Sequence, residues 1–70
     1  MQRKPVNSSN ISSIGYDASS HTLEIQFHDG GVYCYGGVPQ SEFAALMAAS
    51  SHGSYHARHI KDRYPATKVA

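Results

Sequence analysis

The chain has little cysteine and little net charge, and each scarcity excludes a class of protein. Cys34 is the one cysteine among 70 residues, so an intramolecular disulfide is excluded, and so is a zinc site built from several thiolates. A metal would have to use the five histidines. Six basic against five acidic residues give a net charge of +1, which is too little for a broad surface that follows a phosphate backbone.

Long apolar runs are also missing. No stretch approaches the roughly 18 residues that a membrane-spanning helix requires, and the first twenty positions contain no apolar segment of the kind found in signal peptides. A reducing compartment suits the unpaired Cys34. We therefore expect a cytoplasmic protein with no membrane partner.

Large apolar side chains are few. Hydrophobic residues make up 40% of the chain, but eight of them are alanine and five are tyrosine. A core this thin supplies only about 3–5 kcal/mol unless a disulfide, a metal or a partner chain helps. We therefore expect one domain that self-associates as a homo-oligomer, most simply a symmetric dimer through an open sheet face or an exposed edge.

Alternating apolar and polar residues predict a three-stranded antiparallel meander. The predicted strands span residues 9–16, 21–28 and 31–36. The second alternates cleanly, with Leu23, Ile25 and Phe27 on one face. The first is shorter and imperfect, because Ile11 and Ile14 fall on opposite faces of a regular strand.

The register of the second hairpin has two possible solutions. A two-residue loop at Asp29-Gly30 pairs Ile25 with Cys34 and leaves Tyr33 and Tyr35 on the open face. A three-residue loop that starts one position earlier, with its glycine left-handed, pairs Ile25 with Tyr33 and places both tyrosines under the helices. Turn chemistry favours the two-residue loop, and the shortage of bulky core residues favours the three-residue loop.

Two helices follow the strands. The first begins at Pro39 and carries apolar side chains at helical spacing: Phe43, Leu46 and Met47. Residues 51–53 should break it, and Ser54 should cap a second helix over residues 55–63.

A run of strands followed by a run of helices predicts an α+β fold in which two helices cover one face of the sheet. Residues 8–65 form the predicted domain. Residues 1–7 are expected to be flexible or paired at a sheet edge, and residues 66–70 to form a C-terminal tail.

Six short motifs occur along the chain: Ser8-Ser9-Asn10-Ile11; Ile14-Gly15-Tyr16-Asp17; Leu23-Glu24-Ile25-Gln26-Phe27; Gly30 with Tyr33-Cys34-Tyr35; Val38-Pro39; and Ser51-His52-Gly53-Ser54-Tyr55 with Ile60 and Tyr64. Together they resemble the KTSC domain, a small module named from the C-terminus of some lysyl-tRNA synthetases. That context implies RNA binding. The chain departs from the usual pattern at His56, where an aromatic residue such as Phe is common, and at His52, which is often Lys.

Cations and tyrosines near the second helix are the combination that single-stranded nucleic acids favour. The candidate binding residues are Tyr33, Tyr35, Tyr55, Arg58, Lys61 and Arg63, with Tyr64 and Lys68 close by. We predict weak, sequence-tolerant binding of RNA or another single strand.

Two alternatives stay open. One is a nucleotide or other small ligand that binds at the turn formed by Ser51 and Gly53 of an oligomer, with Arg58 one turn on. The other is a protein-interaction module with no intrinsic chemistry.

Metal binding and catalysis are not expected. His52, His56 and His59 have the spacing of one helical face, but no further ligand completes a tetrahedral set, so we interpret them as surface or capping residues. Ser51 near a histidine lacks a buried orienting carboxylate and an oxyanion hole. The sequence therefore predicts a non-enzymatic protein without a cofactor.

Overall fold

The computed structural model describes residues 2–70. In chain order the elements are β1 (Arg3–Pro5), β2 (Ile11–Asp17), β3 (Thr22–Phe27), β4 (Val32–Tyr35), α1 (Gln40–Ala48), α2 (His52–Tyr55), a π-helical segment (His56–Ile60) that continues α2, and β5 (Ala66–Lys68). The predicted α+β class is confirmed. No helix within the described residues is long and apolar enough to cross a lipid bilayer.

The sheet has five antiparallel strands in the order β1-β2-β3-β4-β5, whereas the sequence predicts three. The two additional strands lie at the edges. Arg3 in β1 is opposite Gly15, and Lys68 in β5 is opposite Tyr33. Residues expected to form a C-terminal tail therefore include an edge strand, which three-residue, mostly polar segments do not reveal by alternation.

A β-bulge explains the imperfect pattern of the first predicted strand. Ile11 is opposite Phe27 but Ser13 is opposite Gln26, so β2 has one more residue than β3 between these pairs. The extra residue shifts the alternation by one position. Ile11 and Ile14 are consequently both buried in the core.

The β3–β4 hairpin adopts the three-residue loop. Ile25 is opposite Tyr33, the backbone N–H of Phe27 donates to the carbonyl oxygen of Gly31 (2.9 Å), and Gly30 has a φ of 96°. This register buries Tyr35, which is 3% exposed, and leaves Tyr33 half-buried. Of the two predicted registers, the fold therefore adopts the one that buries the aromatic side chains.

The core lies between the sheet and the helices. Its fully buried side chains are Ile11, Ile14, Leu23, Ile25, Val38, Leu46 and Ile60. α1 contributes Leu46 to this core, and the π-helical segment contributes Ile60. Phe43 of α1 also stacks on Tyr16, with ring centroids 4.8 Å apart, so both helical regions are fixed to the same face of the sheet.

The second helical region starts earlier than predicted. Ser51, not Ser54, is the cap: its side-chain oxygen accepts a hydrogen bond from the backbone N–H of Ser54 (3.3 Å). Helical structure then runs from His52 to Ile60 and stops short of the predicted end at residue 63. The predicted break after α1 is present, but it lies at residues 49–51 and not at 51–53. The predicted Ser54 cap is wrong, because the Ser51 hydroxyl accepts the backbone N–H of Ser54.

The face of the sheet away from the helices is polar. Arg3 forms an ion pair with Glu24, and the Ser13 hydroxyl donates to the Gln26 side-chain oxygen (3.2 Å). Burial, together with the neighbouring Glu24, raises the pKa of the Cys34 thiol on this face. Because this face is polar, it offers little apolar area for a dimer, and self-association stays a prediction.

Candidate functional site

A pocket of about 510 Å³ opens between the sheet and the second helical region. The residues before β2, the β3–β4 hairpin and the segment from α2 to residue 62 all contribute to its walls. Pockets of this size hold small organic ligands or single groups of larger ones. The pocket is therefore the candidate functional site.

Four aromatic side chains line the pocket: Phe27, Tyr33, Tyr35 and His56. Phe27 meets Tyr33 with ring centroids 5.8 Å apart and planes at 78°, and it meets His56 at 5.3 Å and 67°. These are edge-to-face contacts. Because the rings stand nearly at right angles, a flat ring that enters the pocket can stack on one and contact the edge of another.

His56 and Tyr35 form a buried hydrogen-bonded pair. The Tyr35 phenol oxygen lies 2.7 Å from His56 Nε2, and His56 is 7% exposed. Burial, followed by the charge of Lys61, lowers the pKa of His56, and burial together with Tyr33 raises the pKa of Tyr35 to about 12. Both groups are thus neutral at pH 7, so the pocket wall that they form carries no net charge.

The polar residues that line the pocket are Asn10, Lys61 and Asp62. Lys68 adds a second cation nearby, because it lies opposite Tyr33 in the sheet and opposed residues project from the same face. The pocket thus combines aromatic walls with an amide, a carboxylate and adjacent positive charge.

Gly53 lies inside α2 where the helix backbone approaches the side chain of Asn10. A Cβ on Gly53 would lie 3.0 Å from Asn10 Cγ and closer still to Oδ1. Within residues 2–70, the glycines with positive φ are Gly30 and Gly37. Gly53 therefore does not need glycine for a positive φ, and the close approach of Asn10 is what requires glycine here.

This contact gives a test of how Gly53 shapes the pocket. Alanine in place of glycine in a helix stabilises by roughly 0.5–1 kcal/mol where space allows. We expect Gly53→Ala to raise the free energy of unfolding by this amount only in an Asn10→Ala background. In the wild-type background the overlap with Asn10 should remove the gain. Urea unfolding of the four proteins of this double-mutant cycle measures the difference, and equal effects in both backgrounds would contradict it.

The pocket brings together four of the candidate binding residues: Tyr33, Tyr35, Gly53 and Lys61. The others lie elsewhere. Ser51 caps α2, and the exposed Arg58 lies on the π-helical segment outside the pocket lining.

Tyr55 and Arg63 belong to a separate polar cluster around Glu42 of α1. The phenol of Tyr55 donates to Glu42 Oε2, and that of Tyr64 donates to Oε1 (3.0 Å). An Arg63 guanidinium nitrogen lies 3.9 Å from Oε1. The Tyr55 hydrogen bond is the main cause that lowers the pKa of Glu42, with further contributions from Tyr64, Arg63 and His59. This cluster joins α1 to the end of the second helical region.

The three helical histidines have different partners. His52 Nδ1 lies 2.8 Å from the carbonyl oxygen of Leu46, His56 bonds to Tyr35, and His59 packs on Tyr55 with ring centroids 4.5 Å apart. Among residues 2–70 no group of three or more His, Cys, Asp or Glu side chains is arranged to hold a metal ion.

Six lining residues are not among the candidates: Asn10, Phe27, His56, Ala57, Asp62 and Ala66. Phe27 alternates with polar residues as a core residue does. His56 lies on one helical face with His52 and His59, a pattern that we interpret as surface or capping histidines. The resemblance implies an aromatic residue at position 56, and His56 keeps a ring there, which is the available signal for a pocket residue. No signal in the sequence identifies Asn10 as a pocket residue, because only the fold brings it close to Gly53.

Comparison with known proteins agrees with this architecture. The family model of the KTSC domain matches residues 7–64, which include every lining residue except Ala66. The chain belongs to the KTSC domain family. A crystal structure of a KTSC domain protein from Yersinia pestis is 43% identical, with a TM-score of 0.96 over 99% of this chain and 97% of that chain. The predicted resemblance is confirmed.

Two curated relatives also align with this KTSC domain over most of their length. An uncharacterised protein of Stutzerimonas stutzeri is 34% identical over 64 residues, which are 91% of this chain and 90% of the relative. A protein of Tsukamurella paurometabola is 38% identical over 66 residues, which are 94% and 98% of the two chains.

Proposed function

We propose that this KTSC domain is a non-enzymatic module that binds RNA or another single-stranded nucleic acid by accommodating one base in the aromatic pocket. The observation that carries the proposal is that aromatic rings and Lys61 line the same opening. Base stacking on aromatic side chains contributes about 1–3 kcal/mol per base and tolerates any sequence, because every base has a π-face.

Positive charge beside the pocket supplies the phosphate contacts. Lys61 lines the opening, and Lys68 is opposite Tyr33, whose ring forms one wall. Two such contacts are few, and the net charge of the protein is only +1. We therefore expect weak binding, in the range of roughly 10⁻⁴–10⁻⁶ M that is typical of non-specific complexes.

Fluorescence anisotropy with a labelled single-stranded RNA at two salt concentrations tests this proposal. Lys61→Ala should weaken binding and reduce the slope of log K against log salt by about 0.7, the change for one phosphate contact with a single strand. Tyr33→Leu, which keeps apolar bulk but removes the ring, should weaken binding and leave the slope unchanged.

Lys4→Ala is the matched control for the loss of a cation. Lys4 is an exposed lysine in β1, at the sheet edge opposite to β5. This variant should retain most of the binding. If no single strand binds at low salt, the proposal is defeated and an interaction module without intrinsic chemistry becomes the better interpretation.

A mononucleotide in the same assay addresses the small-ligand alternative. At the Ser51–Gly53 turn, the Ser51 side chain and its carbonyl oxygen already accept the N–H groups of Ser54 and Tyr55. Two of the N–H groups at this turn are therefore already bonded, so we expect a small ligand in the pocket. A mononucleotide that binds as tightly as the longer strand would favour that alternative, because the flanking phosphates would then add nothing.

A further inference from the structure

Asp62 is the acidic residue that lines the pocket. The ion pairs within residues 2–70 join Arg3 to Glu24 and Arg63 to Glu42, so Asp62 belongs to neither. Its side chain is exposed. The pocket therefore presents a carboxylate whose two oxygens are available to a ligand and can only accept hydrogen bonds when ionised.

The four bases differ in what they offer to a carboxylate. Single-stranded bases are read through hydrogen bonds to their exposed edges. Guanine has two adjacent donors, N1–H and the 2-amino group, which match the two carboxylate oxygens. Adenine and cytosine each place one amino group beside an acceptor nitrogen, and uracil places one N–H between two carbonyl oxygens. Paired charge-assisted hydrogen bonds are the strong and geometrically selective ones.

We propose that Asp62 makes the pocket select guanine over the other bases. This inference rests on the proposed function, since it names the base that the pocket accepts. Selectivity is confined to that one base, and the rest of the strand is bound without regard to sequence. The guanine ring stacks in the aromatic pocket while its N1–H and 2-amino group donate to the two Asp62 oxygens.

Binding of three short RNAs tests the selection: oligouridine, the same strand with one central guanosine, and the same strand with one central inosine. Inosine lacks only the 2-amino group, so it removes one of the two donors without changing the ring. We expect the guanosine strand to bind about tenfold more tightly than the inosine strand, within the range for one bidentate contact. One guanosine in a uridine strand also avoids guanine self-association.

Asp62→Asn should abolish this preference, because an amide offers one acceptor and cannot receive both donors. It should also strengthen binding of oligouridine slightly, since one negative charge beside the phosphates is removed. Asp17→Asn is the matched control: it makes the same charge change outside the pocket lining, and asparagine can keep the hydrogen bonds from Ser19. That variant should retain the guanosine preference.

The outcomes separate the two proposals. Equal binding of the three strands by the wild-type protein, or a preference that survives in Asp62→Asn, overturns the selection of guanine and leaves single-strand binding intact. No binding of any strand overturns both. Preference for guanosine that is lost in Asp62→Asn alone supports both.

Discussion

Ile60→Ala is expected to remove most of the protein's free energy of unfolding at room temperature. Ile60 is fully buried and is the apolar side chain by which the π-helical segment enters the core. Truncating a buried isoleucine to alanine costs about 2–5 kcal/mol, because transfer energy is lost and a cavity is left. A core of this size supplies only about 3–5 kcal/mol. The truncation should therefore consume most of the stability.

Circular dichroism during urea and thermal unfolding measures this effect. Ile60→Val should keep the fold and lower its stability by about 0.5–1.5 kcal/mol. Val69→Ala is the control, since Val69 is 53% exposed and surface substitutions stay within about 0.5 kcal/mol. An Ile60→Ala protein with the wild-type midpoint would show that the π-helical segment does not depend on this anchor.

The central strands were predictable because the alternation of apolar and polar residues indicates which side chains are buried. Leu23 and Ile25 alternate with polar residues, and that spacing requires a strand with one buried face. The sequence leaves the hairpin register open, because Asp29-Gly30 suits either loop length. Tertiary packing decides the register, because only one register buries Tyr35 and a small core needs that ring.

The edge strands and the pocket could not be predicted in the same way. β5 gains its backbone hydrogen bonds from β4, which is distant in sequence, and the three mostly exposed residues of each edge strand carry no alternation. The pocket depends on distances across the chain as well. Asn10 meets Gly53 only after the sheet and the second helical region have packed together. Local pattern predicted Tyr33 and Lys61 as candidates, but not that they share one cavity.

Glu42→Gln is expected to destabilise the protein by about 1.5–3 kcal/mol at pH 7, the contribution of hydrogen bonds to a charged group. The Glu42 side chain is 12% exposed and accepts hydrogen bonds from two phenols, Tyr55 and Tyr64. A glutamine keeps the shape but loses the charge, and its NH₂ group cannot accept from a phenol. Asp62→Asn makes the same charge change at an exposed residue and should alter stability far less.

The pH dependence of this loss gives the sharper measurement. Because hydrogen bonding and neighbouring charge lower the pKa of Glu42 in the fold, its carboxylate stabilises fully above the unfolded-state value of about 4.3. That contribution is lost as the pH falls through the folded-state pKa. His56 has a lowered pKa too and destabilises both proteins on acidification, so the difference between wild type and Glu42→Gln removes its effect. The difference in free energy of unfolding, from urea titrations at several pH values, should be constant near neutrality and shrink in acid; one that grew in acid would contradict the role of the Glu42 carboxylate.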